Sequence, residues 1–186
     1  MGASNIEPVV AGRDGIMSNA TQVLVLTGAP GVGKSTVARQ LAAELPQCAH
    51  VSADTLHRMI VSGAEWPSAG TPTALAQLQL RTTNAALLAA SFARHGIPSV
   101  VDEVVSLPTQ RQVLEAELAS WPITFVGLAA APGVIRARDA GRHKQTAAFY
   151  EGIEATIREV VDAIWIDTSS RSIAETVTAV RHLIRW

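Results

Sequence analysis

Residues Gly28-Ala29-Pro30-Gly31-Val32-Gly33-Lys34-Ser35 have the types and spacing G-x-x-x-x-G-K-S, the pattern of a loop that binds phosphate. Glycines let the backbone curl until several amide N–H groups point into one concavity. A helix that starts directly behind the loop adds its positive N-terminal end to the same spot. A triphosphate fits such a cradle, here built from Gly28, Ala29, Pro30, Gly31, Val32, Gly33, Lys34, Ser35 and Thr36. Lys34 supplies a point charge for the β- and γ-phosphates, and Ser35 offers a hydroxyl ligand to Mg²⁺. ATP and Mg²⁺ are therefore the implied cofactors.

Three carboxylates are placed to join this chemistry. Asp54 follows His50-Val51-Ser52-Ala53 and lies twenty residues after Lys34. A carboxylate there can accept the proton of a hydroxyl that attacks the γ-phosphate, or it can simply cap the next helix. Asp102 and Glu103 close the run Gly96-Ile97-Pro98-Ser99-Val100-Val101, an apolar strand ending in acid as in a Walker B element. Asp102 is the candidate Mg²⁺ ligand opposite Ser35, and Glu103 is a candidate for polarising water in a hydrolytic reaction.

Four of the fifteen cationic residues fall within Arg136–Lys144, with Arg138 and Arg142 four apart on one helical face or at the helix end. A bidentate guanidinium carried by a closing lid suits a transferring phosphoryl group, which makes Arg138 and Arg142 catalytic candidates alongside Asp54 and Lys34. The same cluster also reads as a solvated basic helix end. His57 and Arg58 lie within one turn of Asp54 and can face an acceptor. Trp66, in a Pro/Gly-rich loop, can cover a substrate or plug the loop locally. The five histidines lack the close spacing of a metal site.

Short apolar runs alternating with helical stretches must position these residues, the signature of a parallel sheet covered on both faces. The expected strands are Gln22–Thr27, His50–Ser52, Ser99–Asp102, Ile123–Ala129 and Ala163–Asp167. Expected helices cover Thr36–Leu45, Asp54–Ser62, Thr73–His95, Thr109–Leu118, Pro132–Gly141, Thr146–Val160 and Ile173–Arg185. Ligands of such sheets bind beyond the carboxyl ends of the strands, where Asp54 and Asp102 fall. The long punctuated segment Ser62–Pro72 is a candidate functional loop.

With 186 residues and 48% hydrophobic content, the chain suits one domain, expected over 21–186 behind a disordered leader or extension at 1–20, with Met17 as an alternative start. A net charge of −1 creates no field for nucleic acid or anionic membrane, so a small-molecule partner is expected. The single cysteine, Cys48, reads as a buried small hydrophobe, and no apolar run reaches membrane-spanning length. A cytoplasmic protein is expected, with its oligomeric state left open.

The chain resembles the small P-loop kinases related to chloramphenicol phosphotransferase, a group similar to gluconate kinases and zeta-toxin-type kinases. The likeness spans roughly residues 22–186. It is carried by Gly28–Ser35, Val51-Ser52-Ala53-Asp54-Thr55-Leu56, Val100–Val104, the lid-like Arg138-Asp139-Ala140-Gly141-Arg142, and Ala163–Thr168 before a final helix. The resemblance implies a P-loop NTPase three-layer α/β sandwich with a short lid and a five-stranded parallel sheet centred on the P-loop strand. It also implies Asp54 as catalytic base and Arg138 and Arg142 as lid arginines. Residues 57–80, where such enzymes build the acceptor pocket, carry no match, so chloramphenicol itself is not implied. No N-K-x-D or D-x-x-G signal is present, which favours adenine over guanine. The expected activity is transfer of the γ-phosphoryl group of ATP to a small-molecule hydroxyl, on an antibiotic or a metabolite. The competing expectation is a nucleotide-dependent regulatory module in which Glu103 supports slow hydrolysis.

Overall fold

Val23-Leu24-Val25-Leu26-Thr27-Gly28 is an unbroken, fully buried run, which is what a strand covered on both faces requires. In the computed structural model it forms β1. The structure describes residues 21–140 and 152–184, so the expected leader, and Arg142 with the end of the basic cluster, lie outside the described residues. The other strands are β2 (Ala49–Ser52), β3 (Ser99–Asp102), β4 (Ile123–Ala129) and β5 (Ile164–Asp167). All pairings are parallel, in the order β2-β3-β1-β4-β5, with the P-loop strand in the centre.

Alternation along β1 sends its side chains into two separate cores. Val23 and Val25 face a layer built by α3 (Pro72–Arg94), α4 (Pro108–Glu117) and α6 (Ile153–Val160), through Ala85, Ala89, Leu114 and Ile157. Leu24 and Leu26 face α1 (Lys34–Ala43) and α7 (Ile173–Arg181), through Val37, Leu41, Val177 and Val180. The result is the three-layer sandwich. Helix α5 (Pro132–Ala140) follows β4 and packs Val134 and Ile135 on the second core. No helix among the described residues is long and apolar enough to cross a membrane.

One helix expectation needs correction. The helix expected over Asp54–Ser62 is only five residues long, α2 (Ala53–His57). Beyond it the chain tightens into turns, Met59 N–H donating to Leu56 O and Ile60 N–H to His57 O, before β-branched Ile60-Val61 and a left-handed Gly63 carry it away. Of the helix expected over Thr146–Val160, the described part is α6, Ile153–Val160, with a left-handed Gly152 at its N-cap; residues 146–151 lie outside the described residues. The loop after α2 contains a 3₁₀ turn, Pro67–Ala69, and is pinned to α3 by Gln77, which accepts from Glu65 N–H at 2.7 Å and donates to Gly63 O at 2.7 Å. Thr71 caps α3 by accepting from Ala74 N–H, and its hydroxyl donates to Glu65.

Gly28 joins this frame to the phosphate loop. Its φ is +139°, and a Cβ there would lie 2.3 Å from Leu128 O on β4. Gly28→Ala therefore combines backbone strain with a clash against main chain, each worth roughly 1–3 kcal/mol. Gly33→Ala, at φ +111° with no atom within 4 Å, carries the strain alone. Thermal unfolding should show a larger fall for Gly28→Ala, at roughly 2–4 °C per kcal/mol. Equal losses would contradict the steric account.

Candidate active site

The loop after β1 turns through left-handed Gly31 and Gly33 and delivers Lys34 as the first residue of α1. Lys34 folds back along the loop and donates from Nζ to Gly28 O (2.9 Å) and Ala29 O (3.1 Å). Burial lowers its pKa, while Asp102, Asp54 and Glu103 pull the other way. All three carboxylates singled out in the sequence therefore act on the P-loop ammonium.

Asp102 ends β3 opposite Leu26, two residues before Gly28 on the neighbouring strand. Burial pushes its carboxyl up, but His50 (Nε2 to Oδ2, 3.7 Å), the Lys34 charge and the Ser35 hydroxyl outweigh this and hold it below the ordinary carboxylate range. An ionised carboxylate beside a hydroxyl at the phosphate loop is a donor set suited to Mg²⁺, which keeps most of its shell for water and phosphate. No cluster of three or more His, Cys, Asp or Glu suited to a metal occurs among the described residues.

Asp54 lies within the first turn of α2. The capping role weighed for it belongs to Ser52, whose hydroxyl accepts from Thr55 N–H at 3.4 Å. Its carboxylate is instead held by Arg81, which donates from Nη1 to Oδ1 at 3.2 Å. Arg81 comes from the middle of α3 and was not anticipated. It also donates from Nε and Nη2 to the two oxygens of Glu103, at 3.2 and 2.6 Å. Arg81 and Glu103 are only 4% and 2% exposed. Glu103 accepts further bonds from the Thr82 hydroxyl and Val104 N–H, and Gln110 donates to Thr82. Burial raises the Glu103 carboxyl while Arg81 pulls it down. A signal for Arg81 existed in the sequence: it occupies the otherwise small and apolar face Ala74, Leu78, Ala85, Ala89 at helical spacing.

These residues border a cleft of about 710 Å³ that runs from Gly31, Gly33, Lys34 and Ser35 past Asp54 and Asp102 to Trp66 and Leu107. Arg58 lines it, with Nη2 4.0 Å from Asp54 Oδ2 and the guanidinium carbon 5.8 Å over the Trp66 ring. His57 is buried and packs its ring 4.4 Å from Trp66, away from the cleft lining. Arg138 is not brought into the cleft. It donates to Val32 O (3.2 Å), Thr168 Oγ1 (3.0 Å) and Thr168 O (2.6 Å), tying α5 to the P-loop and to the loop after β5. Arg142 lies outside the described residues. Cys48 is half-buried and its thiol is pushed up to about 12 by burial, consistent with an inert hydrophobe.

Fold and site together define a P-loop α/β domain with a cleft beside its phosphate loop. The family profile described as AAA domain matches residues 23–164, and the chain belongs to that family. No curated protein matches it in sequence. Among solved structures it is similar to an APS kinase of Mycobacterium tuberculosis in complex with AMPPNP and APS (TM-score 0.69, 19% identity, 88% of this chain and 97% of that one). It is also similar to a sugar kinase of Janibacter sp. (TM-score 0.63, 21% identity, 88% and 93%). A gluconokinase of Sinorhizobium meliloti gives a TM-score of 0.59 at 20% identity, covering 86% and 89%. The shared feature is the P-loop kinase fold.

Removing Arg81 alone would leave Glu103 buried without its partner. Arg81→Met should cost about 3–5 kcal/mol, and Arg81→Met with Glu103→Gln should recover most of that loss. Urea unfolding of both variants checks this. A single variant as stable as the parent would show that the pair is not buried in solution.

Proposed function

We propose that this protein is an ATP-dependent phosphotransferase that moves the γ-phosphoryl group to a hydroxyl of a small molecule, with Mg²⁺ as cofactor. The observation that carries this reading is a single cleft in which Asp54 stands beside the P-loop residues Lys34 and Ser35. A simple nucleotide switch has no use for a walled cavity with a carboxylate at that point.

In this reading the P-loop amides and Lys34 hold the triphosphate, and Ser35 and Asp102 would hold Mg²⁺, which neutralises charge on the phosphate oxygens when bound. The acceptor hydroxyl approaches the γ-phosphorus from the Asp54 side. Its proton passes to the Asp54 carboxylate as the new O–P bond forms and the bond to the β-phosphate oxygen breaks, releasing ADP. Arg81 orients Asp54 for that transfer. The regulatory alternative needs Glu103 to polarise water, but Glu103 already accepts bonds from Arg81, Thr82 and Val104, which weighs against it.

Asp54→Asn keeps size and removes the charge. Phosphorylated acceptor should fall by roughly 10²–10⁴-fold, the usual contribution of a general base, with ATP affinity retained. Unchanged transfer would remove the base. For Arg138 the proposed lid role requires release of its bonds to Val32 and Thr168. If it acts on the transferring group, Arg138→Ala lowers kcat more than it raises the KM for ATP. A rise in KM alone would leave it as a tether of the P-loop.

A further inference from the structure

The acceptor half of the cleft is electrically balanced among the described residues. Lys34 and Asp102 belong to its phosphate end, which leaves Asp54 and Glu103 against Arg58 and Arg81. Arg81 is committed on three donors: Nε and Nη2 to Glu103 and Nη1 to Asp54. Arg58 stands between the second Asp54 oxygen and the Trp66 face. An anionic acceptor brought into this cleft would lose water, meet two carboxylates, and find the buried Arg81 already engaged, leaving only the largely exposed Arg58 at the rim. The remaining wall is mainly apolar, with Trp66, Leu75, Leu78 and Leu107 broken by the hydroxyls of Ser68 and Ser106. Such a wall suits a ligand with one apolar face and a few oriented hydroxyls.

We propose that the acceptor is an uncharged hydroxyl compound with an apolar face, and that Glu103 sets this selectivity by holding Arg81 away from acceptor anions. The proposal rests on reading the cleft as the acceptor site. Glu103 is suited to the task because Thr82 and Val104 N–H fix its oxygens independently of Arg81. Glu103→Gln keeps the size and one acceptor oxygen, while its amide NH2 cannot accept from Arg81, which leaves Arg81 with surplus positive charge at the cleft.

The test is calorimetric titration of the full chain, saturated with Mg²⁺ and a non-hydrolysable ATP analogue, with gluconate and with glucitol, its uncharged counterpart of equal chain length. The parent protein should bind gluconate no better than glucitol. Glu103→Gln should gain gluconate affinity roughly tenfold or more, the scale of one charge-assisted hydrogen bond, and Arg81→Met in the same chain should erase the gain. Asp54→Asn, altered at a half-exposed side chain and checked for folding by circular dichroism, should release the other arm of Arg81 and give a smaller gain. Preferential gluconate binding by the parent protein, or no gain in either folded variant, would overturn the proposal. Failure of the ATP analogue itself to bind would overturn the phosphotransfer reading and this inference with it.

Discussion

The buried ion pair between Arg81 and Glu103 fixes the wall of the cleft that carries Asp54. Hydrophobic packing holds α3 on the sheet, but it does so through a face of alanines, and contacts between small apolar groups are nearly indifferent to sliding. The ion pair is not indifferent. Slipping α3 by one turn would move the guanidinium about 5.4 Å and strand two buried charges. One strong directional contact thus sets the register of a 23-residue helix against the end of β3. Because the third arm of Arg81 reaches Asp54, it sets α2 as well.

The P-loop side is fixed by different means. β1 is the central strand, paired on both sides and buried along its whole length, so the loop that leaves it starts from a fixed point. Gly28 lets the backbone pass Leu128 O at a distance no side chain would permit, and the parallel register with β3 brings Asp102 level with the end of that strand. Rigid backbone therefore shapes the P-loop, and a side-chain network shapes the facing wall of the cleft. Arg138 stands apart from the cleft wall and ties α5 to the P-loop through Val32 and to the loop after β5 through Thr168.

What the sequence made legible follows this division. The strands could be read because burial on both faces demands continuous apolar runs, and Ser99–Asp102 and Ile123–Ala129 match to the residue. The P-loop could be read because its chemistry is local, eight adjacent residues between a strand and a helix. Asp54 and Asp102 could be located as acids at strand ends, although the hydrogen bonds that hold Asp54 could not. Arg81 escaped because its partners are 27 and 22 residues away and meet it only through tertiary packing. The bonds of Arg138, across 30 and 106 residues, were hidden for the same reason. The early end of α2 was missed because the turns after it keep helix-like spacing while the hydrogen bonds shorten.

The central claim is that the phosphoryl group of ATP goes to a hydroxyl bound in the cleft and not to water. Its most direct measurement is ³¹P NMR of the products when the protein is incubated with MgATP and a panel of uncharged hydroxyl compounds. The account predicts a phosphomonoester that appears in step with ADP and depends on one class of acceptor. ADP formed only together with inorganic phosphate, at a rate no acceptor changes, would contradict it.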